Sequence, residues 1–417
     1  MSIAEIFLFF YNIVCCANLF SKIYHRNEEV DVLMKQVIEF VNEPKEIYIE
    51  AHIADIHFGV IDPQVQYQIL NEQFLVPLMN MNTLDIVSVN GDLFDHKFMA
   101  NSDAVMYASY FVNQLIQICR SKRATLILIS GTGSHDADQL KMFAPYLSDP
   151  SIDMRLIINN VSFQFVKGKK ILCVPELYGY GQEYYNSFLN DQGVYDACYM
   201  HGTFAGAIAG KNVPDLNADR EPVFKIEDFT LCQGPIIAGH NHVFSRYKND
   251  FYYSGSPIRW RFGEEEEKGF IILLHKPRLR QYLIHFEPIK SFRYDTVNLD
   301  YMLNDDPRHI IDYIASLKSQ GIDFIRIKFT KSDLDKITLI KNYYRTRSDV
   351  KVESDYEQEK LQHQIDNLDQ KYHQYDYLFD KSLSSEEILV RYINQSQGSD
   401  YWTVDTLRQF LHDIEKL

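Results

Sequence analysis

The chain has 417 residues and a formal net charge of −15, which excludes a protein that coats nucleic acid with its whole surface, because such proteins are broadly basic. Hydrophobic residues make up 46% of it, enough for a sizeable core, so disorder is not the default reading. At roughly 150 residues per domain, two or three domains are expected.

Cys15, Cys16, Cys119, Cys173, Cys198 and Cys232 contain no C-x-x-C pair. Neither a zinc ribbon nor a disulfide framework is suggested, and the thiols fit a reducing compartment. Residues 1–45 are expected to form a helical extension, strongly apolar over Ile6–Phe20. That stretch falls short of the roughly 20 residues of a spanning helix. It follows Glu5 rather than a positive charge, unlike a signal peptide. A packed or interfacial helix is the reading, with a membrane anchor over 6–20 as the alternative.

The next segments alternate. Ile47–Ala54, Leu84–Val89 and Ala124–Ile129 have strand patterns, while Pro63–Met81 and Ala104–Cys119 have helical apolar spacing. Strand–helix alternation predicts an α/β domain with a parallel sheet. Beyond residue 150 short strands dominate: Met154–Ile157, Val161–Val166, Lys170–Val174, Ala197–Met200, Pro235–Ala238, Phe251–Tyr253, Gly269–Leu274 and Gln281–Phe286, with a helix near Gln182–Asn190. A second sheet packed on the first is expected. Near residue 291 the composition shifts to a helix over 308–319, a strand at Phe324–Phe329 and a basic cluster over 321–351. An acidic, Gln- and Tyr-rich stretch follows, and then two amphipathic helices, Ser384–Asn394 and Thr403–Leu417. The expected organisation is an extension over 1–45, a catalytic domain over 46–290, a cap over 291–355, and an acidic linker with terminal helices over 356–417.

The chemistry concentrates at strand ends. Asp55 and His57 follow the first strand, and Asp92 the second. Ser134, His135 and Asp136 follow the third, His201 a later one, and His240 and His242 another. In α/β sheets, ligands collect beyond the carboxyl ends of strands. In Asp55-x-His57 and His240-x-His242, residues i and i+2 of an extended chain point the same way and can grip one centre. Gly91 and Gly239 permit close backbone approach. A carboxylate such as Asp92 has two oxygens and can bridge two cations. Oxygen and nitrogen ligands together suit Mn²⁺ or Fe²⁺, and also Zn²⁺, while the lack of thiolates argues against structural zinc. Any one of these histidines alone would be an ordinary polar residue at a strand end, so the weight lies in the set. Gly206–Lys211 hints at a P-loop but lacks the G-x-x-x-x-G-K-[ST] pattern.

In order, the runs DIH, GDLFDH, GSHD, MHG and GHNH resemble the calcineurin-like metallophosphoesterases. Within that superfamily the chain most resembles the DNA repair nuclease subunit of SbcD type, particularly its phage recombination-endonuclease relatives. Tyr253–Gly269 (YSGSPIRWRFGEEEEKG) supports the narrower match. The motifs span about residues 47–290, and beyond that only the layout is similar.

The resemblance implies a four-layer α/β/β/α sandwich with a small α+β cap domain and C-terminal helices. It implies two Mn²⁺ ions, with Fe²⁺, Mg²⁺ or Zn²⁺ as alternatives. Asp55, His57 and His242 would hold the first ion, His201 and His240 the second, and Asp92 would bridge them. His135 would stand over the scissile phosphate and assist the leaving oxygen, with Asp136 orienting its ring. The family has Asn where this chain has Ser134, a shorter and weaker ligand. Arg259, Arg261 and Lys97 are candidate DNA phosphate contacts; the alternative pairs both arginines with Glu264–Glu267.

The implied partners are DNA and an SbcC-like coiled-coil ATPase docked on the terminal helices, with a homodimer inside a heterotetramer. The implied location is the cytoplasm of a bacterium or phage-infected host. Two alternatives stay open: another dinuclear phosphatase or nucleotide phosphodiesterase, and a catalytically weak assembly subunit.

Overall fold

The computed structural model describes residues 47–354, apart from 137, 191, 206–222, 248–249, 303–305 and 331–332. The expected N-terminal extension with its apolar stretch 6–20, and the acidic linker and terminal helices over 356–417, lie outside the described residues. Among the described residues, no helix is long and apolar enough to cross a membrane. The chain divides into two compact units, the first ending at Tyr294 and the second beginning at Asp295.

The first unit is built on two six-stranded sheets. β1 (Tyr48–Ile53), β2 (Ile86–Asn90), β3 (Thr125–Ile129) and β4 (Met154–Ile157) run parallel in one of them. β13 (Gly269–Lys276) pairs antiparallel with β1, and β14 (Gln281–Pro288) continues the hairpin. β1, β2 and β3 are buried along their whole length, as expected of parallel strands covered on both faces.

The helices between these strands have clear sequence causes. Asp62 caps α1 (Pro63–Leu70) by accepting from the Gln64 and Val65 amides, with Pro63 at the first helical position. α1 runs through a π-helical stretch, Asn71–Leu75, into α2 (Val76–Asn80). α3 (Asp103–Lys122) starts at the Ser102 cap, with Asp103 in its first turn and Arg120 and Lys122 in its last. Its charges therefore complement the helix dipole. Ala104, Ala108, Phe111, Leu115, Ile118 and Cys119 line its buried face, at the spacing of a core-facing helix.

The second sheet places β6 (Lys169–Val174), β7 (Ala197–His201), β10 (Ile236–Gly239) and β12 (Phe251–Tyr253) in parallel. β5 (Ser162–Val166) and β11 (Ser245–Tyr247) pair antiparallel at its two edges. A short helix, α4 (Gln182–Leu189), lies between β6 and β7 in sequence.

Three apolar clusters fill this unit. One joins Ile53, Val87, Leu126 and Leu128 to Phe74, Phe111 and Leu115 of the helices. A second joins Ile86, Ile127, Ile271 and Leu273 of the first sheet to Ile171, Cys173, Tyr199 and Ile237 of the second. The third packs Leu172, Met200 and Ala238 with Tyr185, Leu189, Phe224 and Phe229.

The second unit pairs β16 (Phe324–Phe329) in parallel with β17 (Val350–Ser354), with β15 (Tyr294–Asn298) on the other side. Ile325, Ile327 and Phe329 alternate inward. They pack with Ile310 and Ile314 of α5 (Pro307–Ser319) and with Ile337 and Ile340 of α6 (Leu334–Tyr344). Three residues of the basic cluster meet acids here: Arg347 reaches Asp349, which Lys318 of α5 also reaches, while Arg326 and Lys351 reach Glu353.

Candidate metal centre

The parallel strands of both sheets deliver their carboxyl ends to one place. Asp55 lies two residues past the end of β1, and Asp92 two past β2. His201 is the last residue of β7, and His240 follows the last residue of β10. These ends meet across the two sheets: the His240 amide donates to both Asp55 carboxylate oxygens at 2.8 and 3.1 Å.

The backbone is strained at these positions. Asp55, His57 and Asp92 each have φ 52°, and His240 has φ 100°. Left-handed conformations cost non-glycine residues on the order of 1–3 kcal/mol each and concentrate at functional sites. Neighbouring glycines make room. A Cβ on Gly91, at φ +87°, would lie 2.1 Å from the His201 ring, and one on Gly131 would lie 2.2 Å from Asp92 Oδ1. A Cβ on Gly239 would lie 2.2 Å from the Asn90 carbonyl.

Ligand atoms converge in overlapping groups: Asp55, His57 and His242; Asp55, Asp92 and His201; Glu176, His201 and His240; and His57, Asp95 and His135. Asp92 Oδ2 lies 3.6 Å from His57 Nε2 and 3.3 Å from His201 Nε2. It therefore faces both halves of the cluster. His57 Nε2 and His242 Nε2 face each other at 3.2 Å. His201 Nδ1 donates to the Asn90 carbonyl at 2.8 Å, which turns Nε2 inward, where it has no hydrogen-bond partner. A ring fixed by one nitrogen, with the other aimed at a cluster of carboxylates, is how histidine ligands are oriented. The donor set, hard oxygens and imidazoles without thiolates, fits divalent cations such as Mn²⁺.

The electrostatics show why charge is needed there. Burial lifts the Asp55 carboxyl to about 6, with the nearby Asp92 charge adding to it. Burial also lifts Asp136 to about 7. Burial alone would raise Asp92 too, but His201, His57 and His135 outweigh it and hold Asp92 well below the usual carboxylate range. Burial opposes charge on His201, but Asp92, Asp55 and Glu176 push its pKa well above the ordinary histidine value. Burial holds His57 down at about 4 and His242 well below its usual value.

Of the residues singled out by sequence, Asp55, His57, Asp92, His201, His240 and His242 come together here. His135 joins them, its ring 4.7 Å from that of His57. Asp136 plays a different part from the expected one. Its carboxylate accepts from the backbone amides of Asp92, Phe94 and Gly131 and so ties two strand-end loops together. The ring of His135 bonds instead, through Nδ1, to the Asp95 carbonyl.

Ser134 is exposed, as is Lys97. Arg259 donates to the Glu265 and Glu266 carbonyls, and Arg261 lies 3.4 Å from the Glu264 carboxylate. Arg261 thus meets a carboxylate of the Glu264–Glu267 run, whereas Arg259 meets only peptide carbonyls of it.

Sequence reading missed Glu176, Asp95 and Trp260. Glu176 stands two residues past the end of β6, the same offset as Asp55 and Asp92 on their strands. That offset was the available signal. Asp95 Oδ1 lies 3.7 Å from His57 Nδ1. The Trp260 ring packs 5.1 Å from that of His57 and 4.9 Å from that of His242, walling one side of the cluster with apolar surface.

No family model matches the chain. It is 26% identical over 242 residues to protein 244L of Invertebrate iridescent virus 6, which carries the provisional name phosphoesterase; the match covers 55% of this chain and 77% of that protein. A solved structure aligns over 59% of this chain and 100% of its own length at 11% identity, with a TM-score of 0.35.

Proposed function

We propose that this chain is a phosphoesterase with a dinuclear metal centre, and specifically a DNA exonuclease/endonuclease of SbcD type with a four-layer α/β/β/α catalytic domain. The observation that carries the reading is the convergence of Asp55, His57, Asp92, His201, His240 and His242 beside His135. The similarity to 244L points to the same class of chemistry.

Asp55, His57 and His242 would hold one cation, and His201 and His240 the other, with Asp92 between them. Divalent cations supply charge neutralisation for a phosphodiester and acidify water at neutral pH. The chain's residues do the rest. Asn90 fixes the His201 tautomer, and Asp136 clamps the loops that carry Asp92 and His135. His135 is anchored through Nδ1, which leaves Nε2 to donate a proton to the departing oxygen. Mn²⁺, an SbcC-like ATPase partner and a dimeric assembly belong to the same proposal.

The second reading, a phosphoesterase for small substrates, draws on one observation: Arg259 and Arg261 are occupied by the Glu264–Glu266 segment. Turnover of linear duplex DNA against turnover of bis(p-nitrophenyl) phosphate, both with Mn²⁺, separates the two. The nuclease reading expects DNA cleavage, and His135→Ala should abolish it while Mn²⁺ binding persists. Loss of binding and cleavage together would contradict the role given to His135. Cleavage of the small ester alone would favour the second reading.

A further inference from the structure

Where the resembled family carries an amide, this chain has Ser134, and Ser134 is exposed. The second cation position is nonetheless not short of oxygen. Glu176 reaches it from β6, and the side chain is 5% exposed. Its Oε2 lies 3.2 Å from His240 Nδ1 and 3.4 Å from His201 Nε2. Thr132 Oγ1 is 3.1 Å from the same oxygen and 3.2 Å from Asp92 Oδ2, so one hydroxyl ties both carboxylates. The Tyr178 hydroxyl donates to the other oxygen, Oε1, at 2.7 Å. Glu176 is thus held by two hydroxyls, with Oε2 aimed at the two imidazoles. One of those nitrogens, His201 Nε2, is buried and has no hydrogen-bond partner.

We infer that Glu176 is a ligand of the second cation position, replacing the family's amide with a carboxylate delivered by a different strand. The inference rests on the proposed dinuclear function. It makes the centre one of three carboxylates, Asp55, Asp92 and Glu176, set against two divalent cations. A carboxylate supplies full charge where an amide supplies only a dipole, so the second cation is held more tightly. The centre also keeps one positive charge fewer for an anionic substrate.

Mn²⁺ titration of the full chain by calorimetry, followed by electron paramagnetic resonance, tests this without recourse to activity. The wild-type chain should bind two Mn²⁺ and show an exchange-coupled pair. Glu176→Ala should bind one Mn²⁺, with an uncoupled signal. Glu176→Gln keeps the shape and an oxygen while removing the charge, and should weaken the second site about 10–100-fold. Ser134→Ala should match the wild type. Two Mn²⁺ bound with wild-type affinity by Glu176→Gln and Glu176→Ala, or loss of the second Mn²⁺ in Ser134→Ala, would overturn the Glu176 assignment and leave the proposed function standing. A wild-type chain that binds no Mn²⁺ would overturn the proposed function itself.

Discussion

Two buried clusters of ionisable groups in the first unit solve opposite problems. One is centred on Glu50, with His52, Lys169, Tyr199 and His275 around it, all essentially inaccessible. Lys169 Nζ and the Tyr199 hydroxyl both donate to Glu50. Burial would raise the Glu50 carboxyl, but the Lys169 ammonium holds it well below the usual range. Burial keeps His52 and His275 on the neutral side. That cluster carries its own cation.

Among the described residues, the other cluster gathers Asp55, Asp92, Asp136 and Glu176 with histidines alone. Lys268, nearby, is occupied by Glu264 and the His242 carbonyl. A buried carboxylate cluster without an internal cation is costly unless one comes from outside. Burial of charge is therefore not by itself a sign of a site. The sign is buried charge left unbalanced.

Asp92→Asn should lower phosphodiester turnover by about 10³-fold or more, since Asp92 faces both cation positions. Calorimetry of the same variant should show Mn²⁺ binding lost. Lys169→Met should cost about 3–5 kcal/mol of stability in urea unfolding, because it strands the Glu50 charge. Mn²⁺ stoichiometry should stay at the wild-type value, and adding Glu50→Gln should recover much of the loss. If Lys169→Met altered Mn²⁺ binding, the two clusters would not be independent.

Gly91→Ala should destabilise by about 1–3 kcal/mol from the strained φ alone. It should also selectively weaken the Mn²⁺ site that contains His201, whose ring lies where the methyl would go.

The pH dependence follows from the buried histidines. Burial holds the folded-state pKa values of His52 and His275 below the ordinary histidine value of about 6.5. The unfolded chain therefore binds protons that the folded chain refuses. Stability is fully present above pH 6.5 and falls as the pH drops below it, by at most about 1.4 kcal/mol per pH unit for each histidine. Urea unfolding at several pH values should show this fall, and a shallower one in His275→Asn. Equal slopes would mean that His275 charges freely in the fold. The smallest effect belongs to Arg261→Ala. Its half-exposed side chain pairs with the buried Glu264 at 3.4 Å, and that pair should be worth about 0–1 kcal/mol in unfolding, because Lys268 and the Trp260 amide also hold that carboxylate, whereas a rise in KM for DNA would show that Arg261 contacts the substrate.

Much of this was legible in the sequence, for physical reasons. Ligands beyond strand ends are contiguous with the strands that carry them, so DIH, GDLFDH and GHNH could be read locally. Glu176 was missed because V-P-E-L-Y has no histidine beside it, and a lone glutamate after a strand looks like any solvated residue. The Glu50–Lys169 pair was illegible for a different reason: its partners are 119 residues apart and only meet when the sheets stack. α6 and β17 were hidden by the basic residues of 321–351. Those charges mask the helical i, i+3 spacing of Ile337 and Ile340, and three of them, Arg326, Arg347 and Lys351, pair with local acids.

The most direct test is anomalous diffraction at the manganese edge from crystals of the full chain grown with Mn²⁺. Two peaks flanking the Asp92 carboxylate are expected, one beside His57 and His242 and one beside His201 and His240, with none at the Glu50 cluster. Absence of density at Asp92, or manganese beside Glu50, would contradict the assignment of the unbalanced cluster as the metal centre.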